Sequence, residues 1–201
     1  MNSNELLELL KKRRSYRKFS GDEISEEDII NCINIAGLAP SGANMQPWTY
    51  VIVKDKELRK RIREEAELIE KDFYLNHIPD EWRDKLAPLK TDFSKPFLEK
   101  APYLIVVLAQ NYGIGENGEK IKHYYVKESL NISIGFLIYS LHLCGLASLT
   151  YTPTRTEFLS KLLDRPENEK PVFMIPVGYP SNDYELPKIS KKDENDFIKI
   201  I

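Results

Sequence analysis

The stretch Pro-Tyr-Leu-Ile-Val-Val-Leu-Ala, at residues 102–109, decides the fold class of this chain. A continuous apolar run that is rich in β-branched side chains is typical of a strand inside the core. Residues 49–53, 147–152 and 171–177 predict three further strands. Helical patterns separate these runs, so we expect an α+β fold in which helices wrap a core of strands.

The helices are predicted from apolar residues that recur at intervals of three and four. Asp55 is placed to cap one helix, Gly145 to end another, and Ser25–Asp28 reads as a capping box. Residues 77–96 carry Pro79, Pro88 and Pro96 with mixed charge, which indicates a mobile segment with at most short helical turns. Residues 113–120 are expected to form a polar loop. The predicted helices cover residues 4–13, 25–37, about 55–76, about 122–144 and 154–163.

The composition limits the classes of cofactor and partner. The chain has 201 residues, with Pro 12 against Gly 9, and a formal net charge of −2. It is expected to form one domain over residues 1–201, without the basic surface that nucleic acid or an anionic membrane would require. Neither GxGxxG nor GxxxxGK[ST] occurs, so side chains would have to hold a bound phosphate.

Cysteine and histidine usage gives no sign of a disulfide or a metal site. Cys32 and Cys144 lie far apart in apolar runs and are interpreted as two buried free thiols. The histidines stand singly, without metal-ligand spacing. The first residues are polar and charged, with neither a signal peptide nor an anchor. We therefore expect a cytoplasmic protein without a bound metal ion.

Two short segments carry candidate chemistry. Arg13–Arg17 places the Ser15 hydroxyl among guanidinium groups that can hold a phosphate, although charge alone favours a solvated face. In the loop Pro40–Ala43, glycine either brings backbone N–H groups close to a ligand or simply makes a tight turn. The following Pro47–Trp48 reads as an aromatic anchor or as a core tryptophan.

The order and spacing of these segments resemble the nitroreductase superfamily of FMN enzymes. The resemblance rests on Arg13–Arg17, on Ala39–Ala43 followed by Gln46–Trp48, and on Gly178–Pro180. It runs from about residue 11 to the end, and within the superfamily it is strongest to the iodotyrosine deiodinase branch. The resemblance implies a nitroreductase-like fold with a central mixed β-sheet wrapped by helices, and an intertwined homodimer with FMN at two interface sites.

Carried over residue by residue, the resemblance implies a set of functional positions. Ala43 matches the residue whose backbone N–H meets the substrate phenolate. Thr152 is the implied catalytic residue, since it matches the threonine whose hydroxyl bonds flavin N5 and favours stepwise one-electron transfer. Tyr151 stands in a run that is threonine-rich in the family, and Lys191 stands where the vertebrate enzyme has arginine. The implied cofactor-binding residues are Arg13, Arg14, Ser15, Tyr16, Arg17, Ser41, Gly42, Thr150, Tyr151, Thr152 and Lys191.

Glu70, Tyr74 and Lys95 match the family positions that bind the amino-acid end of a halotyrosine. A spacing of four places Glu70 and Tyr74 on one helix face, and a zwitterion needs one carboxylate and one cation. Taken alone, Glu70 among its neighbouring glutamates reads as a surface charge. Residues 70–96 are expected to form a mobile lid over the substrate, with Trp82 packed beneath it.

The implied activity is reductive removal of halide from 3-halotyrosines by reduced FMN, with NAD(P)H as reductant directly or through a reductase. A general NAD(P)H-dependent nitroreductase or flavin reductase is the alternative within the same fold. A sensor that binds a flavin or a tyrosine derivative without turnover is the alternative from another class. The Glu70, Tyr74 and Lys95 set favours the dehalogenase.

Overall fold

A computed structural model describes residues 2–201 and has the expected α+β fold. The strands are β1 (Trp48–Val53), β2 (Tyr103–Gln110), β3 (Tyr112–Ile114), β4 (Lys120–Lys122), β5 (Ala147–Ser148) and β6 (Glu169–Gly178). The helices are α1 (Ser3–Lys11), α2 (Glu26–Gly37), α3 (Lys56–Asp72), α4 (Asp80–Leu86), α5 (Phe97–Lys100), α6 (Val126–Leu143), α7 (Glu157–Leu162) and α8 (Glu194–Phe197). Shorter turns lie at Gly42–Asn44, Phe73–His77 and Ala87–Leu89.

The central sheet has the strand order β1-β2-β6-β5, and each neighbouring pair is antiparallel. The expectation of a mixed sheet is therefore wrong for these four strands. Within residues 2–201, parallel pairing is limited to an isolated bridge between Ser15 and Ser148. An apolar run indicates that a strand is buried, but it does not indicate whether the neighbouring strands run parallel or antiparallel to it.

Alternate residues of β2 belong to two separate apolar cores. The core that contains Ile105 and Val107 is closed by α2 and α6. The core that contains Leu104 and Val106 is closed by α3, α5 and α7. Burial on both faces explains why the sequence of β2 is continuously apolar.

Three elements begin or end about four residues from their predicted positions. Helix α3 is capped by Asp55, whose side chain accepts from the Leu58 N–H at 2.6 Å, but it ends at Asp72 and passes into a π turn. Helix α6 begins only at Val126, because Tyr125 adopts a left-handed conformation with φ of 52°. The predicted strand at residues 147–152 shortens to β5.

Two local predictions at helix and loop positions are also corrected. The Ser25 side chain makes no cap hydrogen bond, whereas Asn2 and Glu5 form a capping box at the start of α1. Residues 113–120, expected as a loop, belong to a hairpin of β3 and β4. None of the helices within residues 2–201 combines the length and apolar character that a membrane crossing requires.

The two cysteines approach each other, contrary to expectation. Helices α2 and α6 pack together and bring the sulfur atoms of Cys32 and Cys144 to 3.9 Å, and both thiols are free. Cys32 is buried, but Cys144 is exposed. The interpretation of two buried thiols is wrong for Cys144, because it follows the last buried turn of α6 and precedes Gly145, which has a φ of 75°.

Candidate functional site

Two cavities meet at the side chain of Arg17. The anion cavity, of about 520 Å³, is lined by Arg13, Arg14, Ser15, Arg17 and Lys191, together with apolar residues. The clamp cavity, of about 260 Å³, is lined by Arg17, Glu70, Tyr74, Lys95 and Thr150–Thr152, and also by aromatic side chains. The structure thus gathers most of the predicted site residues into two adjoining spaces.

The anion cavity concentrates positive charge that the protein itself leaves unneutralised. Within residues 2–201, none of the guanidinium groups of Arg13, Arg14 and Arg17 is ion-paired with a carboxylate. Arg14 donates from Nη2 to the carbonyl oxygen of Pro187, which ties the C-terminal segment to the cavity wall. Forked guanidinium donors beside the Ser15 hydroxyl suit a phosphate, which carries several acceptor oxygens.

The C-terminal segment brings Lys191 to this cavity. Tyr16 stacks obliquely on Tyr184, with ring centroids 5.8 Å apart, and Lys18 forms an ion pair with Asp183. These contacts hold the segment along the basic residues at the start of the chain. Tyr16 therefore has a packing role here and is not among the residues that line either cavity.

The clamp cavity contains a buried ion pair. Glu70 lies in the last turn of α3 and Lys95 precedes α5, and the distance from Lys95 Nζ to Glu70 Oε2 is 3.5 Å. Their side chains are only 8% and 3% exposed, so the reading of Glu70 as a surface charge is wrong. The reason is its register: Ile62, Ala66 and Glu70 follow each other at intervals of four on the buried face of α3.

The electrostatics of this pair reflect its burial. Burial lowers the pKa of Lys95, and the carboxylate of Glu70 opposes that shift. Lys95 Nζ also donates to the carbonyl oxygen of Asp92 and lies 5.1 Å from the centre of the Tyr74 ring. Burial raises the pKa of Tyr74, so its phenol remains a donor at neutral pH. Although Tyr74 lies in the π turn beyond α3, it still faces Lys95.

Glu67, which is not among the predicted site residues, positions Lys95. The Lys95 backbone N–H donates to Glu67 Oε1 at 2.7 Å, and Arg63 donates from Nη1 to Glu67 Oε2 at 2.6 Å. Arg63 also donates from Nε to Glu99 Oε2 at 2.7 Å. The spacing of four between Arg63 and Glu67 was a readable signal for an ion pair, but the bond to Lys95 depends on the tertiary fold.

Aromatic side chains close the clamp cavity. Trp82, on α4, packs edge-on against Phe73 at 6.1 Å between ring centroids. It remains 58% exposed, so it lies at the rim of the cavity and is not packed beneath the lid, residues 70–96, as expected. The Tyr151 ring meets Phe97 edge-on, with centroids 5.6 Å apart, on the inner wall.

The Thr152 hydroxyl is already engaged. Its Oγ1 donates to the carbonyl oxygen of Val172 at 3.2 Å. A hydroxyl has one proton, so Thr152 would have to release Val172 before donating to a ligand. Its position at the clamp cavity nevertheless leaves the oxygen available as an acceptor.

The turn that contains Ser41, Gly42 and Ala43 lies apart from both cavities. Gly42 donates its N–H to Ser129 Oγ at 3.1 Å, and a Cβ at Gly42 would approach the Tyr125 ring to 2.8 Å. The backbone of Ala43 is left-handed, with φ of 50°. None of the three residues is among those that line the anion or the clamp cavity.

Comparison with known protein families and sequences gives a consistent result. A profile described as the nitroreductase family matches residues 10–179. An iodotyrosine deiodinase of Haliscomenobacter hydrossis is 44% identical over 192 residues, which is 96% of this chain and 86% of the relative. An iodotyrosine deiodinase of Nematostella vectensis is 42% identical and aligns over 94% of this chain and 72% of its own length.

Comparison with solved structures finds the same fold in other proteins. A crystal structure of an oxidised iodotyrosine deiodinase bound to FMN and 3-iodo-L-tyrosine superposes with a TM-score of 0.84 and 34% identity, and it covers 94% of this chain and 95% of that one. A BluB-like flavoprotein from Clostridium difficile has a TM-score of 0.74 at 23% identity over 98% of both chains, which is a likeness of fold alone.

Proposed function

Because the chain belongs to the nitroreductase family, we propose that it is an FMN-dependent oxidoreductase that removes halide reductively from 3-halotyrosines. The products are tyrosine and a halide ion. One observation carries the proposal: a buried carboxylate and a buried ammonium form the wall of a cavity that adjoins an arginine-lined cavity. This arrangement provides for an amino acid beside a phosphate-bearing cofactor.

The clamp is suited to a zwitterion because it contains both charges that a zwitterion needs. The ammonium of an amino acid would meet Glu70, and its carboxylate would meet Lys95. One buried ion pair is then exchanged for two, and no uncompensated charge remains in the cavity. The Tyr74 phenol adds a donor on the same wall. A nitroaromatic compound carries no such pair of charges, which supports the dehalogenase over the general reductase.

The residues of the anion cavity fit the phosphate of FMN. Arg13, Arg14 and Arg17 would neutralise it, with Ser15 as a neutral donor and Lys191 as a further cation. Thr150 and Thr152 lie on the wall of the adjoining clamp cavity. When bound, FMN supplies the two electrons that, with one proton, convert a carbon–halogen bond into a carbon–hydrogen bond and a halide ion.

The protein's own groups orient the substrate and its charge. The backbone N–H of Ala43 would hold the phenolate oxygen of the halotyrosine, and the left-handed backbone at that residue sets the direction of the turn. Thr152 is the proposed catalytic residue, donating to the cofactor after it releases the Val172 carbonyl. Residues 70–96 would close as a lid, since Lys95 and Glu70 lie at its two ends.

A homodimer would complete the site. Ser41–Ala43 precede β1, whereas Thr150–Thr152 follow β5, and these strands are the two edges of the sheet. Three strand spacings separate the edges, about 14 Å. A second copy would supply the Ser41–Ala43 turn, in an isologous arrangement. Exposed apolar residues on α2 and α6, among them Ile30, Ile132 and Phe136, offer the surface for this contact.

The reductant and the compartment are part of the same proposal. NAD(P)H would reduce the cofactor directly or through a reductase. The cytoplasm is the proposed compartment, and Cys32 and Cys144 would stay reduced there. The whole chain, residues 1–201, would act as one domain.

The test is a ligand titration followed by a reductive turnover. The purified FMN-loaded protein is titrated with 3-iodotyrosine and with tyrosine while the flavin absorbance is followed. Dithionite or NAD(P)H is then added under anaerobic conditions, and free iodide is measured. Binding of 3-iodotyrosine with stoichiometric iodide release supports the proposal. Rapid reduction of a nitroaromatic compound without iodide release would instead favour the general reductase, and binding without either reaction would favour the sensor.

A matched pair of variants separates the clamp from general charge effects. Glu70→Gln should weaken 3-iodotyrosine binding by about 2–5 kcal/mol, because the substrate ammonium loses a buried partner. Glu65→Gln changes the same charge on an exposed residue of α3 and should leave binding unaltered. FMN should remain bound in both variants. If Glu70→Gln released FMN, the assignment of the clamp to the substrate would be wrong.

A further inference from the structure

Tyr151 is held with its ring inside the clamp cavity. Its backbone N–H donates to the Met174 carbonyl oxygen at 2.9 Å, and the Met174 N–H donates back at 2.8 Å. This bridge fixes the residue against β6 beyond the end of β5. The ring then packs edge-on against Phe97, and its centre lies 5.7 Å from Lys95 Nζ.

The hydroxyl group of Tyr151 is buried without a partner. It is the buried side-chain polar atom within residues 2–201 for which no hydrogen-bond partner is found. Burial raises the pKa of the phenol most, followed by the charge of the Glu70 carboxylate, which also lies close enough to act on the phenol as a hydrogen-bond acceptor. The hydroxyl therefore keeps its proton at neutral pH, and in the ligand-free protein its geometry towards Glu70 is not that of a formed hydrogen bond.

A ligand in the clamp would bring an acceptor for this hydroxyl. The ammonium of an amino acid has only protons to donate, and it would occupy Glu70. The carboxylate would go to Lys95, whose Nζ faces the Tyr151 ring, and it has more lone pairs than Lys95 and Tyr74 can use. The carboxylate is thus the group of the ligand that an orphan O–H donor can bind.

We propose that the Tyr151 hydroxyl donates to the α-carboxylate of the bound substrate, and that Tyr151 is a specificity-determining residue for free amino acids. This inference rests on the proposed function and changes the expected role of Tyr151 from a flavin contact to a substrate contact. The substrate class is then a halophenol that carries a free amino-acid carboxylate. Halophenols with an amine alone leave the hydroxyl orphaned and are selected against.

The same hydroxyl should destabilise the ligand-free protein. A buried polar group without a partner costs its full desolvation free energy, and replacing it with an apolar group of the same shape removes that cost. Tyr151→Phe should therefore raise the melting temperature. Tyr50 provides the matched control, because its hydroxyl lies 2.6 Å from Ser133 Oγ, outside the two cavities. Tyr50→Phe should lower the melting temperature.

The experiment compares two ligands on three FMN-loaded proteins. Wild type, Tyr151→Phe and Tyr50→Phe are assayed with 3-iodotyrosine and with 3-iodotyramine, which lacks the carboxylate. Kd is measured from the flavin absorbance, and kcat and KM from iodide release. For Tyr151→Phe we expect the Kd and KM for 3-iodotyrosine to rise about tenfold or more, as for a lost hydrogen bond to a charged group. Its kcat/KM for 3-iodotyramine should stay at the wild-type value.

Each other outcome overturns the inference in a distinct way. An equal loss for both ligands would mean that Tyr151 acts through Glu70, and no loss for either would mean that it only packs. Release of FMN from Tyr151→Phe would restore the flavin-contact role. Failure of the wild-type protein to bind 3-iodotyrosine would refute the proposed function itself, and it would be seen before any variant is compared. A fall in the melting temperature of Tyr151→Phe would show that the hydroxyl has a partner in the ligand-free protein.

Discussion

Glu70→Gln should destabilise the ligand-free protein although the two side chains have the same shape. The Lys95 side chain is 3% exposed, and its Nζ lies 3.5 Å from Glu70 Oε2, so the variant leaves a buried ammonium without its counter-charge. Removing one partner of a buried ion pair costs about 3–5 kcal/mol. Because Lys95 keeps the Asp92 carbonyl as an acceptor, we take the lower end, about 3 kcal/mol. For a chain of 201 residues this corresponds to a melting temperature about 6–12 °C lower.

The difference in unfolding free energy between wild type and Glu70→Gln should shrink as the pH rises. Burial lowers the pKa of Lys95, and Glu70 opposes that shift. Without Glu70 the pKa of Lys95 falls further. The folded variant therefore binds fewer protons than its unfolded chain over a wider pH range below the ordinary lysine pKa. Stability rises with pH wherever the unfolded state binds more protons. The unfolding free energy of Glu70→Gln should therefore approach that of wild type as the pH rises towards the ordinary lysine pKa.

A double-mutant cycle measures the pair itself. Wild type, Glu70→Gln, Lys95→Met and the double variant are unfolded in urea at one protomer concentration and one FMN concentration, since both affect apparent stability. The double variant removes both charges and should recover most of the lost stability. Uncharged replacements of both partners of a buried ion pair often leave the unfolding free energy nearly unchanged. Additive losses, or a cost in Glu70→Gln that does not change with pH, would refute the ion-pair reasoning.

Three further predictions follow from single contacts. Arg14→Ala should weaken FMN binding by about 1–3 kcal/mol in a flavin fluorescence titration, because a charge-assisted phosphate contact is lost; unchanged affinity would place the phosphate elsewhere. Gly42→Ala should lower the unfolding free energy by about 1–3 kcal/mol in urea, since a Cβ there would lie 2.8 Å from the Tyr125 ring; an unaltered midpoint would contradict the close packing. Near neutral pH, one thiol per chain should react rapidly with an alkylating reagent such as iodoacetamide, because Cys144 is exposed whereas burial raises the pKa of Cys32 to about 11; two equally fast thiols would refute this.

The parts of the fold that sequence reasoning predicted are those with a local signal. The Asp55 cap, the continuous burial of β2 and the left-handed Gly145 after α6 each depend on a few adjacent residues. The start of α6 was misplaced because Tyr125 adopts a conformation that glycine usually supplies. The sequence has no glycine or proline between Lys122 and Val126 that would have marked a later start.

The candidate site shows a similar division. Resemblance of ordered motifs pointed to Glu70 and Lys95, and the structure places them in contact. Residue type alone would have left Glu70 on the surface, because its burial depends on its register with Ile62 and Ala66 and on its contact with Lys95. The orphan hydroxyl of Tyr151 had no signal in the sequence, since satisfaction of a polar group depends on all its neighbours.

The sequence by itself determined the burial of strand β2, the order of helices and strands, and the short motifs that mark the family. These features depend on residues within a few positions of each other. Only the tertiary structure decided that the strands run antiparallel, that Glu67 binds the Lys95 backbone, and that Ser41–Ala43 lie at the opposite sheet edge from Thr150–Thr152. These facts depend on strand order and on long-range packing. Packing free energy is summed over contacts between distant residues, so no local pattern records it.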